Sequence, residues 1–142
     1  MDDPFDLQRF VEAQDPVMDQ VRAELGRGRK TSHWMWFIFP QIAGLGFSAM
    51  AQRYAIRSLD EAAAYLAHQV LGPRLLECTR MVNAVVDAPI DRIFGSPDDV
   101  KFHACMTLFE MVGGEGSELG EALERYFGGV RHEGTLALVG RR

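Results

Sequence analysis

The chain has little cysteine: only Cys78 and Cys105 in 142 residues, with no C-x-x-C pair. A disulfide framework is therefore excluded, and two small buried apolar groups are expected. Metal-ligand spacing is missing as well. Histidines 33, 68, 103 and 132 form no H-x-x-x-H pair, so no metal site and no cofactor are expected. There is no G-x-S-x-G elbow and no phosphate-binding Walker loop. The longest unbroken apolar run, Trp34–Phe39, is far short of the ~20 residues that span a bilayer. The opening Met1-Asp2-Asp3-Pro4 is acidic where an export signal is basic. No membrane association is expected, and cytoplasm is the expected location. Positive charge is also outnumbered: a net charge of −5 argues against nucleic acid as a partner, the four-residue cluster Arg27–Lys30 notwithstanding. Sustained strand-like alternation, hairpin signals, repeats and long linkers are all missing.

What is present is helix punctuation. A composition of 47% hydrophobic and 25% charged residues is that of a globular chain able to bury a core. Asp3-Pro4 and Asp15-Pro16 are start signals, followed by the stripes Leu7/Phe10/Val11 and Val17/Val21/Leu25. Gly26 is the expected left-handed stop of the second helix. Ser58-Leu59-Asp60-Glu61 reads as a capping box opening a helix from Leu59 to about His68. Gly72-Pro73 opens the next, carrying Leu75, Leu76, Val82, Val85 and Val86 and closed by Pro89. Ser96-Pro97-Asp98-Asp99 opens another through Val112 to the Gly113-Gly114 break. Ser117 caps one more, ending at Phe127, and Thr135–Val139 adds a short turn. The expected fold is all-α: one compact multihelical domain, residues 1–142, with short loops.

One segment departs from this pattern. Arg27–Gln41 runs from a basic loop through Thr31-Ser32-His33 into Trp34-Met35-Trp36-Phe37-Ile38-Phe39 and ends at Pro40-Gln41. Six large apolar residues cannot share one helical stripe, so the run is either buried core or partly a pocket wall. Lys30, Ser32 and His33 abut tryptophans whose indole N–H needs a partner, and aromatic walls beside convergent polar groups build ligand pockets. Gly44-Leu45-Gly46-Phe47-Ser48-Ala49 matches G-x-G-x-x-A, but Pro40 interrupts the approach and no βαβ pattern surrounds it, which excludes a dinucleotide fold. A flexible turn ahead of a helix capped by Ser48 is the simpler reading. Arg53, between Gln52 and Tyr54, is of the type that clamps a carboxylate or phosphate. Lys101 lies three residues after Asp98 and is placed to pair with it. His103 reads as a half-buried structural histidine.

The strings RKTSHWMWFIFPQIAGLGFSAMAQRYAIRSLDEAAAYL, HQVLGPRL and IFGSPDDVKFHACMTLF make the chain similar to the bacterial proteins grouped as domain of unknown function 1810. The likeness runs from DPFDLQRFVEAQ to YFGG, departing at Gln69 and at the glycine-rich loop 113–116. It implies a mostly helical domain and no established activity. A fainter likeness is to the helical YbiA-type domains that process ADP-ribose derivatives.

Two functions are compatible with this reading. In the first, a small anionic, nucleotide-like ligand occupies a pocket walled by Trp34 and Trp36. Lys30, Arg53 and Lys101 supply positive charge, and Ser32, Gln41 and Asp99 supply hydrogen bonds. His33 is the candidate acid/base, because an ordinary histidine titrates near neutrality. In the second, the chain is a non-catalytic protein-interaction module. Whether it is an enzyme stays open.

Overall fold

A computed structural model describes residues 2–113 and 117–140. Residues 114–116, most of the expected glycine-rich loop, lie outside the described residues, as do Met1, Arg141 and Arg142. The described residues form ten helices and no sheet. These are α1 (Gln8–Gln14), α2 (Met18–Gly26), α3 (Met35–Ile38), α4 (Ala49–Arg53) and α5 (Leu59–Ala67). They continue as α6 (Leu71–Asn83), α7 (Ile90–Phe94), α8 (Asp98–Gly113), α9 (Glu118–Phe127) and α10 (Glu133–Gly140). The nearest approach to a strand pair is one parallel bridge between Ile42 and Ile56.

The serine caps form as their spacing predicts. Ser48, Ser58 and Ser117 each accept a backbone N–H three residues on, from Ala51, Glu61 and Gly120. Other punctuation differs. The Asp3 carboxylate accepts the Leu7 and Gln8 N–H groups, so it caps α1 across an intervening turn and Pro4 lies outside the helix. Gly26 is the last residue of α2; the left-handed stop falls at Gly28, with φ 74°. Glu61 reaches past its cap residue to the Arg57 N–H, because its other oxygen is held by Arg9. Val85 and Val86 lie beyond the end of α6, and α7 appears where the sequence gives no periodic signal. The His68 ring accepts the Val70 and Leu71 N–H groups and so starts α6.

Helix α8 is the axis. It is buried on nearly every side, from Phe102 through Glu110, and packs against α5, α7, α9 and α10. Gly72 is required where α6 crosses the preceding segment: a Cβ there would lie 2.0 Å from the Leu66 carbonyl oxygen. The core is aromatic in its centre. Phe39 meets Phe94 and Phe102 edge-on at 5.7 and 5.1 Å, and Tyr65 bridges Phe10 and Phe109. Cys78 and Cys105 are free and buried, and burial pushes the Cys78 thiol up to about 12 and that of Cys105 well above its usual range. No helix of the described residues is long and apolar enough to cross a membrane.

Candidate functional site

The basic loop after α2 is folded around a carboxylate. Glu24 projects from the same helical face as Val21 and Leu25 and is fully buried. Its Oε1 accepts the N–H groups of Thr31 (2.7 Å) and Ser32 (2.9 Å) and the Trp34 indole N–H (3.1 Å), while Oε2 accepts from Gln20. Burial alone raises its pKa. The Ser32 hydroxyl and these N–H donors overcome that and hold the carboxyl well below the usual range. Glu24 is therefore an anion that shapes residues 31–34.

That shape aims Lys30 inward. Its backbone N–H donates to the Ile93 carbonyl of α7 at 2.7 Å, and its side chain is only 7% exposed. The ammonium lies 2.8 Å from Asp98 Oδ2 and 5.1 Å above the Trp34 ring. Lys101, one turn along α8, stands 3.6 Å from Asp98 Oδ1 and 5.6 Å above the Trp36 ring. Each oxygen of Asp98 thus faces one ammonium, and each ammonium covers one indole. Asp98 also sits in the first turn of α8, where the helix dipole favours a carboxylate.

Of the residues singled out from the sequence, Lys30, Trp34, Trp36 and Lys101 meet here, with Ser32 tied in through Glu24. Trp34 is 1% exposed and belongs to the core; Trp36 is half-buried and retains an accessible part. His33 is exposed, and Gln41 is half-buried with its carbonyl accepting the Ile56 N–H. Among the described residues no hydrogen bond or ion pair joins either side chain to the cluster. Arg53 is exposed in a separate groove beside α1 and α5, and Asp99 lines another with Pro89, Arg125 and Tyr126. Of the linking residues, Asp98 was expected only as the partner of Lys101, and Glu24 was outside the expected set. A carboxylate on the Val17/Val21/Leu25 face is the sequence signal for Glu24, since an unpaired charge there would be untenable.

Two expected features take structural roles. The histidine at 103 stacks on Phe127 at 3.9 Å and its Nε2 lies 2.7 Å from the Val130 carbonyl, so it donates there. Gly46 closes a turn against α4, since a Cβ would come within 2.7 Å of the Ala51 Cβ. Among the described residues, no group of three or more His, Cys, Asp or Glu could hold a metal ion.

A family model described as "Protein of unknown function (DUF1810)" matches residues 4–139. The chain belongs to this family. It is also similar to the conserved hypothetical protein Rv1873 from Mycobacterium tuberculosis, known from its crystal structure. The two are 52% identical with a TM-score of 0.95, covering 97% of this chain and 99% of that one. No curated protein matches.

Proposed function

We propose that this DUF1810 protein binds a small anionic, nucleotide-like ligand at the Lys101–Trp36 face. One observation carries the reading. Asp98 is neutralised on one side by the buried Lys30, which leaves Lys101 held loosely, at 3.6 Å, over a half-buried indole. Two lysines against one aspartate leave an excess positive charge beside an aromatic face, in a protein whose net charge is −5. A planar anionic ligand finds there both a stacking surface and a counter-charge. His33, two residues before Trp36's neighbour Met35, is the candidate acid/base if the ligand is processed as well as bound. A cytoplasmic setting goes with this reading, because two unpaired buried thiols are ordinary in a reducing compartment.

A thermal-shift screen with nucleotides and ADP-ribose derivatives tests it, since a ligand that binds only the folded state raises the melting temperature. At least one compound raises it in the wild type, and Lys101→Gln and Trp36→Leu abolish that rise. A flat response across the whole set defeats the reading.

The second reading, a protein-interaction module, draws support from Phe47, just before the α4 cap, and Met50 in its first turn, which are 81% and 36% exposed. If this pair mediates association between copies, wild-type protein sediments faster at high concentration than Phe47→Ser. Identical sedimentation removes that support.

A further inference from the structure

A second region has the properties of a prepared site and shares no residue with the first. The groove between the N-terminal segment, α4 and the start of α5 has a volume of about 700 Å³ and is lined by Asp6, Arg9, Gln52, Arg53, Arg57 and Glu61, among others. Its floor is an ion pair. The Arg9 and Glu61 side chains are 9% and 2% exposed and meet at 2.8 Å.

Arg9 is spent as a ligand-binding group. A guanidinium has five N–H donors, and here every one has an acceptor. Nε donates to the Arg53 carbonyl (2.9 Å), Nη1 to those of Phe5 (2.7 Å) and Asp6 (2.8 Å), and Nη2 to Ala55 (2.9 Å) and to Glu61 Oε2 (2.8 Å). Glu61 is equally occupied, since its Oε1 accepts the Arg57 N–H at 3.1 Å. What this buried pair does is fix five backbone positions, of which Asp6, Arg53 and Arg57 bear charged side chains. Asp6 is held at φ 51°, in the left-handed region that few side chains other than Asn and Asp enter readily.

Those three positions carry the groove's remaining charges. Among the described residues, the Asp6 carboxylate has no ion-pair partner, and neither the Arg53 nor the Arg57 guanidinium is paired with a carboxylate. The Arg53 guanidinium leans on Tyr54, with Nε donating to the phenol oxygen at 3.3 Å. Charges of opposite sign therefore line one groove without a direct ion pair between them, on a backbone locked from below, although the Asp6 and Glu12 carboxylates act on Arg53 through space. That is the arrangement preorganisation requires of a recognition site.

We infer that this groove binds a small zwitterion of the α-amino acid or dipeptide class. The carboxylate lies against Arg53 and Arg57, which offer forked donors for it, and the ammonium lies against Asp6. Gln52, whose amide already donates to the Phe47 carbonyl at 2.7 Å, retains its side-chain oxygen for the ligand.

The test uses the full chain labelled with ¹⁵N and titrated singly with the common α-amino acids and with glycyl dipeptides. Each titration is paired with the matching des-amino acid and decarboxylated amine. The expected result is that at least one zwitterion shifts the amides of residues 5–9 and 52–58, and that both truncated analogues bind more weakly. Asp6→Asn, which keeps the tolerance for positive φ, and Arg53→Gln each weaken binding at least about fivefold while melting at the wild-type temperature. Arg57→Gln provides a third variant should either of these fail to fold. No shift at these amides with any zwitterion overturns the inference. So does a des-amino acid that binds as well as its parent, or undiminished binding by Asp6→Asn.

Discussion

The Glu24 carboxylate and the Trp34 indole are joined through Oε1 and Nε1–H at 3.1 Å, and the same oxygen accepts the backbone N–H groups of Thr31 and Ser32. Three donors on one oxygen make sense only for an anion, so the loop that presents Lys30 depends on a buried charge.

Glu24→Gln tests that dependence. The amide preserves size, removes the charge and turns an NH₂ toward groups that are themselves donors. A loss of about 2–3 kcal/mol is expected in urea unfolding. The pH dependence has a definite sign. The folded pKa lies below the ordinary 4.5, so the unfolded chain takes up the proton first. Stability from Glu24 is complete above that value and drains away as pH falls through it toward the folded value. The wild-type urea midpoint should drop more steeply below pH 4.5 than that of Glu24→Gln; parallel curves would refute the assignment.

The Lys30–Asp98–Lys101 cluster is asymmetric, and its variants should be too. Asp98→Asn strands a lysine that is 7% exposed and is expected to cost about 3 kcal/mol. Lys30→Met leaves Asp98 with Lys101 and with more access to water, so it should cost clearly less. The double variant should recover part of the Asp98→Asn loss. Equal single costs that simply add would mean that the pair is not coupled.

His132 starts the last helix. Its Nδ1 accepts the Thr135 N–H at 3.1 Å and lies 2.9 Å from the Thr135 hydroxyl, and its own N–H is held by Thr107. Burial, then the nearby His103, lower its pKa below 6.5, with Glu133 opposing them. The neutral form is the folded one, so stability is full above 6.5 and falls as pH drops from there toward the folded value. Amide protection factors in α10, which allow for the intrinsic slowing of exchange at lower pH, should fall over that window. His132→Asn keeps an acceptor at the cap without titrating there, and protection in that variant should lose its pH step.

Arg9→Lys keeps the charge but offers three donors where five are used, and it cannot fork. A loss of about 3 kcal/mol is expected by denaturant unfolding, because the Glu61 carboxylate and several carbonyls are left underpaired. A change under 1 kcal/mol (roughly the worth of an ordinary surface pair) would show that Arg9 does not organise its surroundings.

What could be read from the sequence was what depends on near neighbours. The caps at Ser48, Ser58 and Ser117 and the Asp98–Lys101 pair each lie within one helical turn, so spacing alone locates them. The stop at Gly28 in place of Gly26 and the five-residue α7 escaped because a glycine marks possibility only and five residues show no period. The tie from Lys30 to Asp98 depends on how distant helices pack. Gln14 and Glu24 were masked by lying on apolar stripes, where the alternation of neighbours says core. Gln14 is in fact buried, donating to the Phe37 carbonyl and the Tyr65 hydroxyl. Polar residues on such stripes were the untapped signal, because burial obliges them to find partners.

Cys78 and Cys105 acquire a use from their placement. Both are fully buried in α6 and α8, and burial keeps them in the unreactive thiol form. A thiol-reactive reagent can reach them only when the helices part. Labelling rates at these two positions therefore clock the breathing of the molecule, one from the α6 side and one from its central helix. Ligands for the Lys101–Trp36 face or for the Arg53 groove can be ranked by how far they slow that clock.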